Sequence, residues 1–157
     1  MEFKARRIKF RVYDRCHKSC HIVGENQHDS MNCDWPDNEV YYLNYQNGEG
    51  SITYDESLPE DDSGYILMQF TGVKDRNGIE MYEGDILRRE GIVEDIIGEI
   101  VWSDIGFTGF FLKVKSKDGH SYYPISRGQF DDDDGELCND IVLGNIYKNP
   151  ELLQYEN

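Results

Sequence analysis

The chain has 157 residues, 38% hydrophobic and 13% aromatic, with 31 carboxylate side chains against 16 lysines and arginines. That length fits one domain or two small subdomains sharing a core, and eleven tyrosines offset a thin aliphatic supply, which excludes disorder throughout. A net charge of −15 disfavours broad non-specific duplex binding, since an acidic body repels phosphates beyond about 8 Å at physiological salt, and no apolar run approaches the ~20 residues of a membrane span.

The charge is unevenly placed. Residues 1–15 hold Lys4, Arg6, Arg7, Lys9, Arg11 and Arg15 against Glu2 and Asp14, a net +4 that leaves −19 for the remainder. No apolar stretch of signal-peptide type follows this basic start, so a cytoplasmic setting with reduced cysteines is expected. In RRIKFRVYD, Ile8, Phe10 and Val12 alternate with Lys9, Arg11 and Tyr13, the period of a half-buried strand with its cations on the wet face.

Next comes CHKSCHIVGENQHDSMNC, residues 16–33, with three of the four cysteines and three of the four histidines. Structural zinc wants four tetrahedral ligands, usually as two close pairs. Cys16 and Cys20 would form one pair, His28 and Cys33 the other, with His17 and His21 as substitutes. The stretch has no CxxC and no glycine knuckle, so an exposed loop between two strands is the preferred reading and zinc the alternative cofactor.

EVYYLNY (39–45) and SITY (51–54) are aromatic-rich strand candidates separated by the turn signal QNGEG. The acidic DESLPEDDSG (55–64) reads as a surface loop, and YILMQFTG (65–72) as a strand-length apolar run. VKDRNG follows, where Asn77-Gly78 is expected to supply the positive φ values of a tight turn. Five more strands are expected at 84–90, 98–103, 109–115, 120–126 and 141–147, with KDG (117–119) as a hairpin turn.

The acidic run Asp131–Asp134 before Gly135 does not make a calcium loop. Placing Gly135 at the sixth position puts Phe130 first and Ile141 twelfth, where carboxylates are needed, so the run reads as a solvated charge stretch. NPELLQ (149–154) offers a cap, a proline and two leucines for a terminal helical turn. Short strands at this spacing favour a closed barrel, because closure removes exposed sheet edges; an SH3-like form is preferred over an OB-like one.

Catalytic constellations are missing from the pattern. His120 and Ser121 are adjacent and would point to opposite faces of a strand; there is no nucleophile elbow and no phosphate-cradling glycine loop. The expectation leans towards a non-enzyme without catalytic residues, a metal-dependent enzyme being only a minor alternative. Phe107, Phe110, Phe111, Tyr122 and Tyr123, with Lys113, Lys115 and Lys117 nearby, suit single-strand nucleic-acid binding if their rings are exposed.

LMQFTGVKDRNGIEMYEGDIL (67–87), VLGNIYKNPELL (142–153), RRIKFRVYD and GEIVWS together resemble the YopX family of bacteriophage and prophage proteins. The resemblance implies a phage- or prophage-encoded protein, working in a bacterial host cell, of mainly β fold with a C-terminal SH3-like barrel. It supplies no activity and no catalytic residues.

The expected organisation is an N-terminal β-rich subdomain over 1–73, carrying the variable Cys/His loop, and an SH3-like barrel over 74–157 ending in a short helical turn. The expected role is that of an accessory protein acting through contacts with host or phage proteins, as a homo-oligomer whose basic N-terminal strand meets an acidic surface of a second copy. Nucleic-acid binding by the barrel is the alternative partner reading, disfavoured by net charge; no membrane partner is expected.

Overall fold

The computed structural model describes residues 8–15, 18–23, 30–33, 40–45, 48–53, 65–91, 94–103, 106, 108–125 and 139–153, with backbone alone at 30–33, 40–45, 48–53 and 65. These residues form two compact units, one within Lys9–Gln69 and one from Phe70 onward.

The first unit is one sheet. Its strands are β1 (Phe10–Asp14), β2 (Ser19–Ile22), β3 (Ser30–Cys33), β4 (Val40–Tyr45), β5 (Gly48–Thr53) and the first half of β6 (Tyr65–Lys74), in the order β2-β1-β6-β5-β4-β3. All pairs are antiparallel except β5 with β6, which meet in parallel at Ile52 and Tyr65.

Two expectations change here. β1 is not a half-wet strand: it is flanked on both edges by β2 and β6, and Val12, Tyr13 and Asp14 are all buried. Arg11 is half-buried with its guanidinium on the Met68 sulfur, whereas Ile8, expected inside, lies outside the strand and is 70% exposed. Alternation reports only local pattern, and a strand in mid-sheet can be covered on both faces whatever its period. The Cys/His stretch, expected as a loop, contributes β2 and β3. SCHI and SMNC each alternate polar with apolar, but over only four residues, and each is drawn into the sheet by a partner, β1 or β4.

In the second unit the end of β6 pairs with β7 (Glu80–Tyr82) across a bulge. Gly72 sits there at φ +89°, and the Thr71 hydroxyl donates to the Met81 carbonyl while accepting from the Val73 N–H. Strands β8 (Asp85–Arg89), β9 (Ile96–Ser103), β10 (Gly109–Ser116) and β11 (Gly119–Pro124) then form a meander, and β12 (Ile141–Asn145) returns to pair with β8. The order β11-β10-β9-β8-β12 is that of an SH3-like barrel. It is a half-barrel, with no main-chain pairing between β11 and β12 among the described residues.

Val73, Met81, Leu87, Ile100, Phe110, Leu112 and Val114 form its core, with Ile96, Ile125 and Val142 packed against them. Each such aliphatic side chain contributes about 1.5–3 kcal/mol when fully buried. The chain's last described element is a 3₁₀ turn, Pro150–Leu153, packed on β9 and β12. Among the described residues no helix is long and apolar enough to cross a membrane.

Candidate functional site

The polar residues buried in the second unit centre on the hairpin between β6 and β7. Asp75 is fully buried; one carboxylate oxygen accepts the N–H groups of Asn77 and Ile79, both at 2.8 Å, and the other accepts Val142 N–H at 3.1 Å. Only Gly78 has positive φ in this loop, +81°, so the expected Asn-Gly pair of positive φ values gives way to a three-residue loop closed by one left-handed glycine. Asp75 therefore links its own turn to the start of β12. Asp85 accepts the Tyr82 N–H across the next turn, where Gly84 adopts φ +75° with the Tyr147 ring and Ile146 beside its α-carbon.

The third buried carboxylate closes the barrel. Asp140, immediately before β12, receives both ends of the Arg89 fork: Nε on Oδ1 and Nη2 on Oδ2, each at 2.7 Å. The same Nη2 reaches the Pro124 carbonyl at the end of β11, at 3.4 Å. Strands β11 and β12 share no ladder, yet one guanidinium touches the end of one and the approach to the other. Alongside, Arg76 binds Glu90 and the Asn139 carbonyl, and its own N–H bonds the Asp140 carbonyl. A side-chain seam thus replaces main-chain closure.

The chemistry available to these groups follows from their partners. Asp75, Asp85 and Asp140 accept from backbone N–H groups or from arginine, so their oxygens are engaged in structural hydrogen bonds. The sequence marks the turn at Asn77-Gly78 and a strand from Gly84, but not the pairing of Arg89 with Asp140. Their separation of 51 residues leaves no local signal.

Of the zinc candidates, Cys16 and His28 lie outside the described residues. Cys20 is half-buried on β2, and Cys33 is on β3; these strands stand at opposite ends of the sheet order. His21, on β2, lies 2.8 Å from the Ser19 hydroxyl through Nε2. Among the described residues no group of three His, Cys, Asp or Glu side chains converges. The run Asp131–Asp134 also lies outside the described residues.

The aromatic candidates separate. Phe107 lies outside the described residues, Phe110 and Phe111 are buried, and Tyr122 and Tyr123 are neighbours on β11 and so face opposite sides. On the core-facing side, Trp102 opposes Phe110 across the β9–β10 ladder, edge-on with ring centroids 4.9 Å apart. Trp102 is 50% exposed and Tyr123, on the same side opposite Leu112, 40%. On the outer side Lys113 lies between Glu99 and Tyr122, its amine 2.9 Å from the Glu99 carboxylate. That hydrogen bond raises the Lys113 pKa above its ordinary value, against the opposing effect of burial.

Fold and site together define a mainly β protein whose second unit is an SH3-like half-barrel, its buried carboxylates engaged in structural hydrogen bonds. The chain belongs to the YopX family: the model described as "YopX protein" matches residues 9–154. Among solved structures, protein yopX from Bacillus subtilis is similar at 19% identity, covering 93% of this chain and 98% of that one, with a TM-score of 0.53. Protein EF1440 from Enterococcus faecalis is 22% identical over 96% of this chain and 100% of its own, with a TM-score of 0.44. The likeness to the Bacillus subtilis structure bears on the fold alone. No curated protein matches the chain.

Proposed function

We propose that this chain is a non-enzymatic phage or prophage accessory protein, cytoplasmic in its bacterial host, that acts through protein–protein contacts and assembles as a homo-oligomer. The phage setting rests on membership of the YopX family. The observation that carries the contact reading is the half-exposed Trp102, braced edge-on by Phe110 with Tyr123 on the same side of the sheet. Tryptophan and tyrosine dominate binding energy at protein interfaces, because a rigid ring buries a large area at little entropic cost.

The contact with a second copy is then made by this aromatic rim. Strand addition through the basic N-terminal segment is a poorer route, since both edges of β1 already pair with β2 and β6. Zinc at Cys16, Cys20, His28 and Cys33 has no part in this reading.

Sedimentation velocity at micromolar concentration tests it. The wild type is expected to sediment as more than a monomer, and Trp102→Ala as a monomer with unchanged circular dichroism. A wild type that stays monomeric, or an oligomer indifferent to Trp102→Ala, overturns the rim as the contact.

A further inference from the structure

The side of the half-barrel sheet opposite the aromatic rim has a composition at odds with the rest of this acidic chain. Directly opposed residues of a ladder share a face: Arg88 of β8 stands against Ile97 of β9 and Lys115 of β10 against His120 of β11, and the β9–β10 register, continued two residues past Lys113 and Glu99, sets these two pairs in one row. Strands about 4.8 Å apart make this row about 14 Å long. The adjacent row runs from Ile86, which is buried, through Glu99 and Lys113 to the half-buried Tyr122, and Lys117 extends from the β10–β11 turn. Lys115, Lys117 and His120 are exposed and make no ion pair among the described residues. Arg88 is 3.8 Å from Asp95, too far for a hydrogen bond, and its buried Nε–H has no acceptor.

We propose that this outer face binds single-stranded nucleic acid, with Arg88, Lys115 and Lys117 meeting phosphates and the Tyr122 and His120 rings stacking on bases. Cations alone would suit any polyanion. Flat rings set between them favour a ligand that offers a π face at every charged unit, as a nucleic-acid strand does and polyglutamate does not. A duplex is the poorer fit, because it carries one charge per about 1.7 Å of axis and meets the full repulsion of an acidic body, whereas a lone strand halves that density. The face is separate from the Trp102 rim, so the two surfaces are tested independently.

Fluorescence anisotropy of a labelled oligothymidylate of about twelve nucleotides, at about 50 mM salt, reads the binding. Three phosphate contacts predict that log K falls with log salt at a slope of about −2. The double variant Lys115→Glu/Lys117→Glu should weaken binding at least tenfold and flatten that slope. Tyr122→Ala should weaken it about tenfold through lost stacking. All variants alter exposed or half-buried positions, and a melting curve matching the wild type confirms that each folds. The proposal is overturned if the wild type gives no anisotropy change, or if binding is indifferent to the lysine pair. Tighter retention of polyglutamate than of the oligonucleotide would likewise overturn it and assign the face to an acidic protein segment.

Discussion

Replacing Arg89 by methionine separates a side-chain seam from ordinary surface ion pairing. Asp140 is 3% exposed at its side chain and Arg89 24%, so the pair is largely shielded from water, and its two 2.7 Å bonds are of the forked, charge-assisted kind. Removing the guanidinium strands a carboxylate in the interior. Such losses cost about 3–5 kcal/mol, and the part-exposed Arg89 places this one near the low end, about 3 kcal/mol. For a chain of this size that lowers the melting temperature by roughly 6–12 °C. The converse single, Asp140→Leu, should cost less, about 2 kcal/mol, because Arg89 can turn towards solvent. Arg89→Met/Asp140→Leu removes both charges and should fall within about 1 kcal/mol of the wild type, well short of the two singles added together. Urea titration followed by Trp102 fluorescence, in a Trp35→Phe background, reports on the half-barrel directly. The reasoning fails if Arg89→Met costs less than about 1 kcal/mol, or if the double variant loses as much as the singles combined.

Two further outcomes follow from local geometry. A β-carbon on Gly98 would stand 2.4 Å from the Lys113 carbonyl oxygen, a backbone atom that cannot turn aside, so Gly98→Ala should destabilise by about 1–3 kcal/mol. Gly109→Ala, with nothing within 4 Å of the new carbon, should change stability by no more than about 0.5 kcal/mol in the same denaturation assay. Lys113, whose pKa is raised by its hydrogen bond to Glu99, stabilises the fold fully below the unfolded lysine value of about 10.4 and loses that contribution as pH rises through the higher folded value. Lys113→Met should therefore be less stable than the wild type by about 0.5–1 kcal/mol at pH 8, and the gap should close as pH rises through the raised folded value; a constant gap refutes the assignment.

The second unit was the more legible half. GFFLKVK and HSYYPIS alternate around a KDG turn, and β10 and β11 form around it with Lys117 and Asp118 between the paired Ser116 and Gly119. The family motif likewise marks the turn at Asp75 and the strand entry at Gly84, because a glycine forced to positive φ and an Asp that caps its own loop are local events. Strand ends were less legible: β9 starts at Ile96, two residues before the expected Gly98, since pairing with Arg88 and Arg89 extends it.

Other features depended on residues far away in the chain. The period-2 pattern of RRIKFRVYD is the same whether one face or both are covered; packing against its faces decided that Tyr13 is buried and Arg11 half-buried. SCHI and SMNC alternate over only four residues each, too short a signal to stand out from the Cys/His stretch, and became strands because β1 and β4 offered them unpaired backbone edges. Arg89 reads as one more charge in ILRRE until β12 returns to lay Asp140 against it. By itself the sequence determined where short extended segments and turns would fall, because propensity and turn chemistry act over a few residues. Tertiary structure alone decided which faces are covered, which rings stay exposed and how the barrel closes, because burial and ion pairing depend on what the rest of the chain places alongside.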